Sequence, residues 1–408
     1  VAATATSVVL VVSYCAVDVR RENFAEYVAM VVALGVGMFV MAAAVNLLSM
    51  FLAFELVSMT SYILTAHIKE GTKSSEAALK YVVFSAASSA VMLYGMSIIY
   101  GLTGNLILPE ILVTMGRSGT SLALSVAILF VLAGLAYKTA AVPFHFWCPD
   151  VYEGAPTPVA AFLSVGPKAA GMAMLTRFLY EGFAIPSTSP LRAGIDWGNW
   201  QTALVAISAL TMTVGNLSAL WQTNVKRLLA YSSIAHAGYM LMAVATLKPF
   251  GINAMAFYVV VYLFMNLGAF VVVMALARSI RSDELSEWAG LGSRSPVVAV
   301  LMAIFLFALA GMPPTAGFIG KLYLFWAALG SMNLAWLAIV AALNTVIGLY
   351  YYARILRQMF FVPPPEGSAP FRVQPIFYVV LYALAVPTLF LGIYWGPLWQ
   401  SIAAAGTP

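Results

Sequence analysis

The sequence predicts an all-α, polytopic membrane protein, and three observations carry that prediction. The 408 residues are 62% hydrophobic and only 9% charged, with a mean hydropathy of +0.94, against roughly 25% charged residues in ordinary soluble domains. Apolar runs of about 20 residues, the length a helix needs to cross a bilayer, recur along the chain. Four ionisable side chains, Glu55, Lys138, Lys168 and Lys321, lie deep inside such runs.

Taken in order, residues 1–17 read as the second half of a span, and because the chain opens at Val1 without an initiator Met, earlier spans are expected to precede it. Nothing there resembles a cleavable signal peptide. Complete apolar runs follow at 25–45, 47–66, 77–100, 121–147, 159–180, 201–221, 228–247, 252–277, 296–329, 333–356 and 376–403. About 11–12 transmembrane helices are therefore expected in this chain. The two cysteines, Cys15 and Cys148, are far apart, so neither a cluster, a structural zinc nor a disulfide framework is implied. The chain lacks GxxxxGK[ST] and a strand-linked GxGxxG, so no nucleotide site is evident.

The formal charge of +5 is explained by topology rather than by a nucleic-acid partner. Loops 18–24, 67–76, 148–158, 222–227, 278–295 and 357–375, with their flanks, carry thirteen Lys and Arg, among them Arg20, Lys69, Lys80, Arg278, Arg281 and Arg354. The opposite side has four: Arg117, Arg177, Arg192 and Lys248. The positive-inside rule places the first group in the cytoplasm. The remaining three of the 20 basic residues are the intramembrane lysines.

Two runs carry breaks. Val126–Trp147 has Lys138 five residues before Pro143, and Val300–Trp326 has Lys321 after Pro313 and Pro314. Proline removes a helical hydrogen bond and clashes with the preceding turn, and unwound backbone inside a membrane is tolerated only where protein or water satisfies it. Both runs are expected to be discontinuous helices. They lie five spans apart, so they run in opposite directions, the geometry of an inverted repeat with its ion site at the breaks. The expected organisation is a partial helix and loop at 1–24, five-helix repeats at 25–180 and 201–356, and a terminal helix at 376–403.

A charge at the bilayer centre costs about 2.5–3.5 kcal/mol even on the mild insertion scale, so such groups usually serve a pathway. Glu55, Lys138 and Lys168 each lie some nine or ten residues from a span end, hence near one depth. Three lysines against one glutamate would leave excess positive charge if all were ionised, so at least one lysine is expected to lose its proton. Glu55 beside a lysine forms a proton switch, and His236 can link the first repeat to Lys321. Tyr137, Ser232, Ser233, Tyr239 and Asn266 are candidate polar stepping stones. Competing readings exist for each residue. Glu55, Lys138 and Lys168 can serve helix packing alone, Lys321 can snorkel to an interface, and His236 can be a hydrogen-bonded core histidine. His67 and His145 read as interfacial. Lys226 and Arg227 read as topology anchors, with proton entry as the alternative.

FELVSMTSYIL around Glu55, EAALKYVVFSAASSAVMLYG from Glu76, GLAYKTAAVPFHFWCPDVYEGAPTPVAAFLSVGPKAAG from Gly134, KRLLAYSSIAHAGYM from Lys226 and LAGMPPTAGFIGKLYLFW from Leu309 resemble the subunit N family of respiratory complex I, the proton-translocating NADH-quinone oxidoreductase. Any one block alone indicates only the wider antiporter-like superfamily. The resemblance covers nearly the whole chain and implies about fourteen helices, two inverted five-helix repeats and a proton channel. It makes Glu55 the acidic partner, Lys138 the lysine of the first broken helix, Lys168 the connecting lysine and Lys321 the lysine of the second broken helix. A lysine at that last position fits subunit N, since subunit M typically has glutamate there; the long lateral helix of subunit L has no counterpart after residue 403. With earlier spans expected ahead of Val1, the main departure from the family pattern falls at the N-terminal end.

The resemblance further implies small K-type and antiporter-like M-type neighbours in an energy-transducing membrane such as the bacterial inner membrane. It implies no cofactor or metal in this chain, with flavin, iron-sulfur clusters and quinone in partner subunits. The rival functions are a subunit of a Mrp-type cation/proton antiporter and a structural scaffold of the membrane arm.

Overall fold

The computed structural model describes the chain except residues 20, 69–70, 119–120, 184–197, 278, 281, 365–369 and 406–408. The basic residues Arg20, Lys69, Arg192, Arg278 and Arg281 used in the topology count thus lie outside the described residues, as do the side chains of Arg21 and Arg117. Seventeen α-helices follow in order. They are α1 (Ala2–Ser13), α2 (Phe24–Ala43), α3 (Leu47–Thr65), α4 (Thr72–Thr103), α5 (Leu108–Ser118), α6 (Leu122–Thr139), α7 (Trp147–Gly154), α8 (Thr157–Phe183) and α9 (Gly198–Leu220). The rest are α10 (Val225–Val244), α11 (Pro249–Leu276), α12 (Leu291–Arg294), α13 (Pro296–Ala310), α14 (Ala316–Leu329), α15 (Ala335–Phe360), α16 (Pro375–Ile393) and α17 (Gly396–Ala405). Among the described residues there is no β-strand, only two isolated bridges.

Nine of these helices are long and apolar enough to cross a membrane. The α13–α14 pair and α10 supply the remaining two of the eleven expected complete spans. With 20 residues, α10 reaches about 30 Å at 1.5 Å per residue. Its hydropathy is lowered by Lys226, Arg227, Ser232, Ser233 and His236, and all but Arg227 of these are buried. Its polar residues therefore face protein rather than lipid.

The two expected breaks are present. After α6, Ala140 turns into the left-handed region and residues 140–146 carry Pro143 before α7 begins. The second run ends α13 at Gly311, with φ +81°, and restarts at Ala316 beyond Pro313 and Pro314. Positive φ at Gly311 is a position that a residue with a Cβ fills only under strain, and an added Cβ would also lie 2.8 Å from Lys321 Cδ. Loop contacts agree with the side assignment. Asn224 bridges Glu284 on the lysine- and arginine-rich side and Asn46 bridges Ile107 on the other, where the Lys248 ammonium also donates to the Gly330 carbonyl at 2.7 Å.

Two features differ from expectation. The run 376–403 is two helices: α16 ends at Ile393, to whose carbonyl Pro397 has no N–H to donate, and α17 starts at Gly396. The short α17 is anchored by Trp399, stacked on Tyr323 at 4.0 Å between ring centroids. In addition, α5 was invisible to a search for full-length apolar runs, being 11 residues long with Glu110 in its first turn.

The helices carrying polar residues pack closely through small residues, the usual device in membranes, where lipid offers no hydrophobic drive for helix association. A Cβ on Gly238 of α10 would lie 2.6 Å from the Met212 backbone nitrogen of α9. Gly238→Ala is expected to push α9 and α10 apart and to cost about 1–3 kcal/mol, as overpacking does. Thermal denaturation and assembly yield of the variant complex measure this; wild-type values for both would show that the contact yields without strain.

Candidate functional site

Lys138, Lys168, Lys321 and His236 each expose 5% of their surface or less. Lys138 is the penultimate residue of α6, where the coming break frees its side chain to cross toward α3. Its ammonium donates to Ser58 Oγ at 2.9 Å and lies 5.0 Å from the centre of the Phe54 ring. Ser58 in turn donates to the Phe54 carbonyl at 2.8 Å.

The Lys138 ammonium thus reaches Ser58, one helical turn beyond Glu55, rather than the Glu55 carboxylate itself. Glu55 is half-buried rather than deep, and its Oε1 is enclosed without a hydrogen-bond partner. The arrangement has a steric origin: on α3, Phe54 and Ser58 face the interior while Glu55 sits at its edge, beside the exposed Leu52 and Leu56. Sequence periodicity alone did not reveal that rotation because α3 is apolar on nearly every side.

Lys168 occupies the middle of α8. Its ammonium donates to Ser233 Oγ of α10 at 2.5 Å, lies 3.9 Å from Cys148 Sγ, and sits 5.6 Å from the centre of the Tyr152 ring, both on α7. Lys138 approaches the same stretch of α8. A Cβ on Gly171, one turn beyond Lys168, would lie 3.5 Å from Lys138 Cγ. One turn before Lys168, Ser164 Oγ accepts from Asn266 Nδ2 at 2.7 Å, and Asn266 Oδ1 has no partner although enclosed.

From Ser233 the polar row continues along α10 at helical spacing. His236 follows by three residues and Tyr239 by six, which keeps them on adjoining turns of one face. His236 Nδ1 lies 2.7 Å from Tyr258 Oη of α11, and Nε2 lies 3.2 Å from Tyr352 Oη of α15. Tyr352 also meets Ser232 Oγ at 2.5 Å. Lys321 then sits 5.1 Å from the centre of the Tyr239 ring and donates to the Ala310 carbonyl at 3.0 Å. That carbonyl lies at the end of α13, where a helix leaves its last acceptors without intrahelical donors. Lys321 thus turns back to the break in its own run and does not snorkel.

The structure brings Lys168, His236, Tyr239 and Lys321 together around α10, with Ser232 and Ser233 among them. Tyr137 departs from the row, donating instead to the Tyr81 carbonyl at 3.1 Å. Sequence reasoning did not single out Ser58, Tyr258 or Tyr352. Ser58 had a signal, its spacing of three from Glu55, whereas the two tyrosines belong to a set of 20 with nothing in their local sequence to mark them.

An ionic cluster caps the assembly on the basic side. Asp150 accepts from Lys80 at 2.8 Å and Arg227 at 2.7 Å, and Glu153 accepts from Lys73 at 2.8 Å and Arg227 at 2.9 Å. Burial works to raise both carboxyl pKa values, but hydrogen bonds from Lys80 and Arg227 to Asp150, and from Lys73 and Arg227 to Glu153, outweigh it and hold both below the ordinary range. The resulting stabilisation is fully present above that range and is lost only as pH falls through the depressed values. Lys226 pairs separately with Asp283 at 3.0 Å.

A helical membrane protein with two interrupted spans and buried lysines at or beside the breaks has the architecture of antiporter-like ion-translocating subunits. The chain belongs to the NADH:quinone oxidoreductase/Mrp antiporter transmembrane family, whose model matches residues 44–348. It is 48% identical over 403 residues to NADH-quinone oxidoreductase subunit N of Anaeromyxobacter sp., covering 93% of this chain and 77% of that one. It is likewise 48% identical over 395 residues to subunit N 2 of Sorangium cellulosum, covering 95% and 77%. Among solved structures, a chain of respiratory complex I from Thermus thermophilus aligns with TM-score 0.79 at 34% identity, covering 95% of this chain and 82% of that one. A Mrp complex chain from Dietzia sp. shares the fold, with TM-score 0.85 at 22% identity over 99% of this chain and 82% of that one.

Proposed function

We propose that this chain is the subunit N component of a proton-translocating NADH-quinone oxidoreductase, and that protons cross the bilayer along its buried Glu/Lys row. The observation that supports this reading is the alignment of buried polar and ionisable groups along α10. Lys168 is hydrogen-bonded to Ser233; one turn further along α10, His236 is bonded to Tyr258 and Tyr352, and Lys321 closes the row over Tyr239. A scaffold needs no such alignment, since buried charges are poor sources of stability. Identity to subunit N relatives near 48% favours the oxidoreductase over a free-standing Mrp-type antiporter.

In the proposed cycle Lys138 exchanges its proton with Lys168, which passes it through Ser233 and the His236 hydroxyl cluster to Lys321 for release on the far side. Each lysine makes few bonds for an ammonium with three donors, one for Lys138 and one for Lys321. Either charge state therefore fits without rebuilding a network. Glu55 gates the first exchange through its distance from Lys138 across Ser58. Moving one charge against the membrane potential takes about 2.3 kcal/mol per 100 mV, the scale of an ion-pair rearrangement. The chain contributes no redox centre in this reading. Flavin, iron-sulfur clusters and quinone belong to partner subunits, and K-type and M-type membrane subunits are its neighbours in an inner or equivalent energy-transducing membrane.

The test is proton pumping per quinone reduced in assembled complexes carrying Glu55→Gln. A fall of roughly five-fold or more, equivalent to about 1 kcal/mol, with normal assembly supports the gate. Unchanged turnover and stoichiometry would assign Glu55 to packing and shift the weight to the scaffold reading.

A further inference from the structure

We propose that the ionic cluster of Asp150 and Glu153 with Lys73, Lys80 and Arg227 is the positioning device for the middle of the pathway, seating the short helix α7 so that Cys148 and Tyr152 stay against Lys168. The proposal rests on the proton-pathway reading and deepens it, since it assigns a role to charges lying outside the row.

Helix α7 has only eight residues, too few to be stable by propensity, so its place is set by what it touches. Its two faces have different partners. Cys148 and Tyr152 meet Lys168, while Asp150 and Glu153, three residues apart and hence on one face, meet the cations. Trp147 ties the start of α7 to the Lys138 side, donating from Nε1 to the Tyr137 carbonyl at 3.1 Å and stacking on Tyr81 with centroids 4.5 Å apart. Gly154 closes its other end on α4, where an added Cβ would lie 2.6 Å from the Lys73 carbonyl. A displacement of α7 is therefore felt at both Lys138 and Lys168.

The donors come from two elements far apart in sequence. Lys73 and Lys80 lie on α4, and Arg227 lies in the first turn of α10, less than two turns before Ser233. Arg227 Nη1 is shared by both carboxylates. The cluster thus joins α4, α7 and α10 at the basic end, less than two turns of α10 from the Ser233 that meets Lys168. A topology anchor needs only water or headgroups as partners, whereas Arg227 is partly buried and spans two acids of another helix. A cavity of about 130 Å³ lies among these side chains, lined also by Glu76 and Ala77, so the cluster has room to rearrange.

The experiment uses the assembled complex in a Cys15→Ser background, where Cys148 is the chain's only thiol and is fully buried. Alkylation of Cys148 by N-ethylmaleimide reports the seating of α7, and proton pumping is read on the same preparations. Asp150→Asn with Glu153→Gln is expected to speed alkylation at least ten-fold and to lower pumping several-fold, and the exchanged pair Asp150→Lys with Lys80→Asp is expected to recover part of both. If the double variant does not assemble, Arg227→Gln is read in the same way, since it removes the shared donor and leaves the two lysine pairs. Unchanged Cys148 protection, or faster alkylation with wild-type pumping, would overturn the proposal. Wild-type pumping in Lys138→Ala would instead overturn the pathway reading, whatever Cys148 does.

Discussion

Lys138→Ala is expected to lower proton pumping by at least ten-fold while leaving the complex assembled. The side chain lies within a core built by α3, α6 and α8, and its single hydrogen bond goes to Ser58. Ser58 keeps its bond to the Phe54 carbonyl when the lysine is gone, so no buried hydroxyl is orphaned. Deleting the four-carbon stem leaves a cavity, with a cost of about 2–5 kcal/mol by analogy with large-to-small core changes. Release of a poorly compensated buried charge works in the opposite direction. The net structural effect is expected to be small, and the functional effect large because Lys138 is the buried cation that meets both Ser58 of α3 and the Gly171 stretch of α8 that carries Lys168. The measurement is pumping per quinone reduced together with subunit content. Normal pumping in an assembled Lys138→Ala complex would remove the residue from the route, whereas failure to assemble would favour a scaffold role, which Lys138→Met, with similar volume and no charge, would separate from a cavity effect.

Much of this architecture was legible because a bilayer imposes strong rules. Long apolar runs mark spans, prolines mark the breaks at 140–146 and 311–315, and an ionisable residue inside a run stands out at once. What was not legible depended on rotation and partnership. Glu55 and Ser58 are three residues apart on α3, and only packing determines that Ser58 meets Lys138. The direction of the Lys321 side chain, back to the Ala310 carbonyl, follows from the left-handed turn at Gly311 rather than from the length of the run. Tyr258 and Tyr352 come from helices distant in sequence, and their meeting at His236 is a tertiary fact without a local pattern. Asp150 and Glu153 carry no local mark of their role, since the arginine that joins them lies 74 residues beyond Glu153.

His236→Phe is expected to reduce pumping by one to two orders of magnitude, because it removes the titratable group between Ser233 and Lys321 while keeping a ring in its place. The aromatic surroundings favour a phenyl ring sterically: Tyr239, Tyr258 and Tyr262 lie with ring centroids 5.8, 5.9 and 5.2 Å from the imidazole. Polar satisfaction is affected unequally. Tyr352 keeps Ser232 as a partner, whereas Tyr258 loses its bond to Nδ1, and a stranded buried hydroxyl costs about 1–3 kcal/mol. His236→Gln preserves hydrogen bonding without titrating in the physiological range. Comparison of the two separates hydrogen-bond continuity from protonation. If Gln restores pumping where Phe does not, the histidine serves as a bridge between hydroxyls; if both fail alike with assembly intact, the proton resides on the imidazole during transfer. Wild-type pumping in both variants would place His236 in the core as a packing residue and would require the route to reach Lys321 without it.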